Sequence, residues 1–255
     1  MIHRLKFFHT NSIKLIALIL IFIVAGFQSN LNAQNITNNI DYTSWEKLLQ
    51  NHVSEKGLVD YKGFVKDKKQ LCKFTEYLSK NTPNDNWTEN QKKAFLINFY
   101  NASTIQIIVE NYPLNSIKDI TGDFSVFQKK YINFNSKKVS LDNIEKDMLV
   151  KMGDPRVHFA VNCASISCPK LDNKVYNAEN LDKHLDQVTK EFINSDLNKI
   201  SKDYAKLSKV FKWYKSDFES ENQTLIDFIN KYSDTKINAN AKISYLEYNW
   251  NLNSK

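Results

Sequence analysis

The chain has 255 residues and a net charge of +7, with charged side chains at 25% and aromatic ones at 13%. That composition excludes a disordered or collagen-like polymer and leaves enough apolar matter for a sizeable core. The lysines are scattered among Asp and Glu rather than clustered, so no nucleic-acid partner is expected. Five glycines are too few for a Gly-rich phosphate cradle or a dinucleotide fingerprint, and no cofactor is expected.

Residues 1–33 read as a secretory signal peptide: basic Arg4, Lys6 and Lys14, an unbroken apolar run from Leu15 to Phe27, then polar residues up to Ala33. The run is shorter than the roughly 20 apolar residues that span a bilayer. No later segment approaches that length, so no integral membrane segment is expected once the leader is removed. The protein is therefore expected to be exported, periplasmic or extracellular, with an uncleaved anchor as the alternative. Residues 34–41 make a short linker, and 42–255 are expected to form a single domain.

Apolar spacing predicts a helix over Tyr42–Val53 and a second over Phe64–Ser79, which Asn81, Thr82 and Pro83 end. Gly57–Tyr61 between them reads as a turn with a short extended piece. Thr88 and Gln91 make a capping box for a helix over Glu89–Asn111, which Pro113 closes. That helix is apolar nearly all round and is expected at the centre of the core. Asn98 and Asn101 share one of its faces. Buried amides need partners, so the pair either ties down loops or lines a pocket.

Tyr131–Phe134 and Lys137–Leu141 read as a hairpin turned at Asn135 and Ser136. Ser140 is expected to cap a helix over Leu141–Lys151 that Gly153 stops. Arg156–Asn162 alternates in the strand manner, with Val157, Phe159 and Val161 on one face and His158, Ala160 and Asn162 on the other. Leu181–Ile193 is an amphipathic helix whose His184 is expected to face solvent. Short strands near Ile200 and Leu207 follow, then an aromatic cluster of Phe211, Trp213, Tyr214 and Phe218 that reads as core. A helix over Gln223–Tyr232 and a strand over Lys242–Tyr248 close the chain. The fold class is α+β, a helix-rich single domain with a small antiparallel sheet.

The chemistry concentrates in Asp154–Pro169 (DPRVHFAVNCASISCP), which holds the sole Arg beyond the leader together with His158, Cys163 and Cys168. No nucleophile elbow for a serine acyl transferase is present. Nor is a common zinc signature, and no metal site is expected from local spacing. Cys163 and Cys168 either form a structural disulfide, which an oxidising compartment permits, or include a thiolate nucleophile. Cys72 reads as a small core residue.

A thiol mechanism needs a base and a residue that orients it; His158 supplies the first, and Asn98, Asn101 or Glu145 the second. In an extended chain, His158 and Cys163 would lie about 16 Å apart, at roughly 3.3 Å per residue, and on opposite faces. Contact therefore requires the backbone to turn after Asn162. Pro169 suits the first position of a helix, which would put Cys168 at its N-cap with a lowered thiol pKa. Arg156, alone among lysines, suggests a planar fork on a carboxylate, either internal (Asp154, Asp142 or Glu145) or belonging to a substrate. With Asn162 and Ser165 it completes a candidate substrate-binding set.

The segments GLVDY (57–61), AFLINFYNA (94–102), YPLNSI (112–117), SLDNIE (140–145), Asp154–Pro169 and VFKWYKSDF (210–218) together resemble the domain-of-unknown-function family five-four-seven. The resemblance spans about Trp45 to Leu252 and implies motif positions at Asn98, Asn101, Asp154, Arg156, His158, Asn162, Cys163, Ser165, Cys168 and Pro169. It implies no settled activity. Family members often carry His after the Glu of the SLDNIE helix, where this chain has Lys146. The residues point to a thiol-dependent hydrolase or transferase on a peptide or amide-like substrate. The alternative is a non-catalytic module that binds a small-molecule or peptide ligand or a partner, with structural cysteines.

Overall fold

A computed structural model describes residues 40–255. The expected leader lies outside the described residues, as does the linker up to residue 39. Helix α1 (Thr43–His52) buries Trp45, Leu48 and Leu49, the face its spacing predicts. The single helix expected over Phe64–Ser79 is two, α2 (Tyr61–Lys66) and α3 (Lys68–Lys80). They break at Asp67, whose N–H closes α2 on the Gly63 carbonyl and whose carboxylate accepts from His52 Nε2 at 2.7 Å. A local aspartate that ends one helix outweighs the continuous apolar pattern.

Helix α4 (Glu89–Asn111) has the predicted bounds and the predicted capping box at Thr88 and Gln91. Its middle, from Lys93 to Ile105, is buried on every side, so it is the axis against which α2, α3 and the segment Asn143–Leu149 pack. Strands β1 (Ile132–Phe134) and β2 (Lys137–Val139) form the expected hairpin. Asn135 and Ser136 both take positive φ, 46° and 62°, the two-residue left-handed turn whose twist matches that of the paired strands.

Two local expectations fail close to the chemistry. Asn143–Leu149 is a widened, π-helical run and Val150–Met152 a 3-10 turn, where a regular helix was expected; Gly153, at φ 74°, stops it as predicted. Arg156–Asn162 is not a strand, because Pro155–Phe159 is a 3-10 turn that Asp154 caps by accepting from the Arg156 N–H. Val157, His158, Phe159 and Ala160 are all buried. Their alternation in polarity therefore carried no information about a wet and a dry face.

Beyond them come α5 (Leu181–Ile193), β3 (Lys199–Ile200), β4 (Tyr204–Leu207), α6 (Val210–Trp213), α7 (Lys215–Phe218), α8 (Leu225–Tyr232) and β5 (Lys242–Tyr245). The helix-rich α+β class holds, with β4 pairing antiparallel to β3 and parallel to β5. Phe159 sits between Phe192 and Phe218, with ring centroids 5.1 and 5.6 Å away, and fixes the second half of the core. Of the aromatic cluster expected there, Phe211 and Phe218 are core, while Trp213 is 46% exposed. His184 is not in solvent: it is buried against Tyr176 and donates from Nε2 to Asp172 Oδ2 at 2.9 Å. Its place at the edge of the apolar face of α5 concealed a partner supplied by a distant loop. Among the described residues, no helix is long and apolar enough to cross a membrane.

The segment 246–255 matters most for the site. It leaves β5, gives the Leu252 N–H to the Asn115 carbonyl, bridges Ser165 through Leu252, and bridges Val59 through Ser254. The cysteine-bearing loop is thus laced to the turn between α1 and α2.

Candidate functional site

Cys163, Ala164 and Ser165 follow a backbone held from below by α4. Asn101 Nδ2 donates to the Ala160 carbonyl at 2.9 Å and its Oδ1 accepts from the Asn162 N–H at 2.9 Å. Asn162 turns its own side chain inward, donating to the Pro169 carbonyl at 2.7 Å and accepting from the Ala164 N–H at 2.9 Å. Ala164 takes φ 61° and is fully buried, a conformation costly for a residue with a Cβ and held by its surroundings. The turn expected after Asn162 is present, but it folds Cys168 back onto Cys163 rather than bringing a sulfur to His158.

The two sulfurs lie 2.7 Å apart and both cysteines are free. The Cys163 N–H donates to Cys168 Sγ at 2.9 Å. Ser165 Oγ and Tyr248 Oη each lie 3.2 Å from Cys163 Sγ. Burial pushes the Cys163 thiol up, but its hydrogen bonds with the Cys168 thiol and the Ser165 and Tyr248 hydroxyls outweigh it and hold Cys163 below the usual thiol value. Burial and the neighbouring Cys163 push Cys168 well above it. The expected helix at Pro169 does not form; the next helical turn begins at Ala178. Cys168 therefore has no helix dipole, and the sulfur with chemical support is Cys163.

A second polar group lies across the same hollow. His158 Nε2 donates to Asp217 Oδ2 at 2.8 Å, and its ring stacks on Tyr214 with centroids 3.9 Å apart. The Tyr214 hydroxyl donates to Glu145 Oε1 at 2.6 Å. Burial lowers the imidazole pKa against the opposing charges of Glu145 and Asp217. The ring is thus neutral at pH 7, with its hydrogen on Nε2. Its Nδ1 is buried without a hydrogen-bond partner, since Glu145 Oε1 at 4.0 Å is too far. Among the described residues, no hydrogen bond joins His158 to either sulfur.

The remaining expected site residues are tied into the frame. Asn98 donates to the Ala94 and Tyr176 carbonyls at 2.9 and 2.8 Å and accepts from the Tyr176 N–H at 3.2 Å. Neither Asn98 nor Asn101 orients His158; Asp217 does. Arg156 forks onto Asp154 at 2.9 and 2.8 Å, and also donates to Asp182 Oδ1, Asp186 Oδ1 and the Asp182 carbonyl. All five guanidinium donors are used, so none is left for a substrate carboxylate. Ser165 does belong to the site, through Cys163 and Tyr248. Asn162 shapes the loop from within.

The hollow has a volume of about 410 Å³, within the range of roughly 300–1,000 Å³ usual for small-ligand sites. Cys163, Cys168, His158, Glu145, Tyr100 and Tyr214 are among its lining, together with the aromatic side chains of Phe124, Phe127, Trp213, Tyr248 and Trp250. Sequence reasoning missed Tyr214, Asp217, Tyr248 and Trp250. VFKWYKSDF did hold the first two, with Tyr214 read only as core, and Lys242–Tyr248 the third, but neither pattern gave them a part in the site. Among the described residues, no group of three or more His, Cys, Asp or Glu is arranged to hold a metal ion.

Residues 84–193 match the model of a family described as "Protein of unknown function, DUF547". The resemblance read from the sequence holds over that range. It takes in AFLINFYNA, YPLNSI, SLDNIE and the whole of Asp154–Pro169, whereas GLVDY and VFKWYKSDF lie beyond it. No curated protein and no solved structure matches the chain.

Proposed function

We propose that this protein is an exported thiol-dependent hydrolase or transferase, which takes a peptide or amide-like substrate into the hollow and uses Cys163 as its nucleophile. The observation that carries this reading is the set of three polar groups within 3.2 Å of one sulfur, the Ser165 and Tyr248 hydroxyls and the Cys168 thiol, since only the thiolate attacks. The aromatic side chains of Trp213, Tyr248 and Trp250 in its lining suit the apolar side of such a chain.

In this reading, Cys163 Sγ attacks the carbonyl carbon, a C–S bond forms, and the amine leaves as the C–N bond breaks, carrying the proton that the Cys163 thiol gave up. Water or a second nucleophile then attacks the thioester and releases the acyl group. His158 serves this second step. With its Nε2–H held by Asp217, the Nδ1 lone pair accepts the proton of the incoming nucleophile. The lack of contact between His158 and sulfur fits this division of labour.

Alkylation by iodoacetamide at neutral pH, mapped by mass spectrometry, tests the nucleophile. Cys163 reacts before Cys72 and Cys168, and Cys163→Ser loses roughly a thousandfold or more of turnover on amide and thioester panels. Cys72 reacting first, or turnover surviving in Cys163→Ser, overturns the reading.

The same missing contact between imidazole and sulfur favours a second reading, a ligand-binding module without turnover. There Cys163→Ser binds ligand as well as the unaltered protein, and neither consumes it.

A further inference from the structure

We propose that Cys163 and Cys168 form a thiol–disulfide exchange pair, Cys163 attacking and Cys168 resolving, whose substrate is a low-molecular-weight disulfide. The proposal shares with the preceding reading the choice of Cys163 as nucleophile and of the hollow as the place of binding, and nothing else.

Position argues first. The sulfurs are 2.7 Å apart and unbonded, and closing to the bonded distance of about 2.05 Å is a small side-chain adjustment. The turn at Ala164 and the bridge from Ser165 to Leu252 already hold the loop in that shape.

Asymmetry argues next. The Ser165 and Tyr248 hydroxyls both reach Cys163, favouring its anion, whereas Cys168 is the more buried of the two, at 7% exposure. An incoming reagent meets Cys163 first, and the hollow of about 410 Å³ in front of it accepts a small disulfide. This is the arrangement of a reactive thiol beside a resolving one.

The steps balance. The Cys163 thiolate attacks RS–SR, forming Cys163–S–S–R and releasing RS⁻, which takes the proton of the Cys168 thiol. Cys168 then attacks Cys163 Sγ, the mixed disulfide breaks, and the second RS⁻ leaves and is protonated by solvent. The dithiol is oxidised by two electrons and RSSR is reduced to two RSH. The nucleophile is thereby masked until a thiol reductant restores it.

The test treats the reduced full chain, carrying Cys72→Ser, with oxidised glutathione and follows it by intact mass and peptide mapping. The expected product is two hydrogens lighter, links Cys163 to Cys168 and retains no glutathione. Cys168→Ser stops at a glutathione adduct on Cys163, and Cys163→Ser takes up none. A lasting adduct on the dithiol protein, a first adduct on Cys168, or recovery of the unchanged dithiol overturns the proposal. The mapping on Cys72→Ser decides the matter even if a site variant fails to fold. Exchange without amide turnover leaves the pair standing and removes the hydrolase; turnover without exchange does the reverse.

Discussion

Arg156 explains its own identity. A lysine in its place would present one ammonium to Asp154, Asp182 and Asp186, where the guanidinium makes five separate hydrogen bonds. Asp154 is buried, and Lys93 Nζ at 3.4 Å is its other cation. Arg156→Lys is expected to lower unfolding free energy by about 2–4 kcal/mol, because a largely buried carboxylate loses its bidentate partner. Urea denaturation checks the loss, and iodoacetamide labelling of Cys163 should keep its rate in the native protein. Weakened ligand capture with unchanged stability would instead return Arg156 to the substrate. The same logic separates the two cysteines. Proline after Cys168 argued for a helix dipole there, yet the two hydroxyls within reach of a sulfur, those of Tyr248 and Ser165, converge on Cys163.

At the scale of elements, the site is made where segments remote in sequence cross. Asn253 is buried and receives the Tyr61 hydroxyl at 2.7 Å, while its amide donates to the Gly57 carbonyl and to Asn162 Oδ1. Asn253→Ala leaves a fully buried Tyr61 hydroxyl unpaired and is expected to cost about 1–3 kcal/mol. Hydrogen exchange at Ile166 and Ser167, whose N–H groups bond to the carbonyls of Asn251 and Asn249, should accelerate more than in α4; unchanged protection there would show that the lacing is not needed. These crossings mark the limit of what the sequence revealed. The bounds of α4, the hairpin turn at Asn135 and Ser136, and the Gly153 stop were legible because each depends on residues within a few positions. The 3-10 turn at Pro155–Phe159 was missed because burial on both sides left no alternation to read. Tyr248 was missed as a partner of Cys163 because 85 positions separate them and no local pattern encodes a crossing of that length.

For the whole molecule, the buried ionisable groups set the pH window of stability. His158 has its pKa lowered by burial, with Glu145 and Asp217 opposing, from the ordinary value of 6.5. The unfolded chain therefore binds this proton more readily, and stability present above pH 6.5 is lost as the pH falls below it. For Asp154, burial is outweighed by the hydrogen bonds and charge of Arg156, and for Asp172 by its bond to His184, so both carboxyls lie below the ordinary 3.8. Their contribution is present above that value and is lost on further acidification through their folded pKa values. Tyr61, Tyr100 and Tyr176 are raised well above 10.0 by burial, so their contribution is complete below pH 10 and fades above it. Urea midpoints measured from pH 4 to 11 should form a plateau between about 7 and 9.5, with a first decline below 6.5. His158→Gln, which keeps a donor toward Asp217, should flatten that first decline while leaving the loss near pH 4 in place. A midpoint that rises from pH 7 to 5.5 would mean that the imidazole gains a proton on folding, and would place a charged His158 beside Glu145 in the hollow.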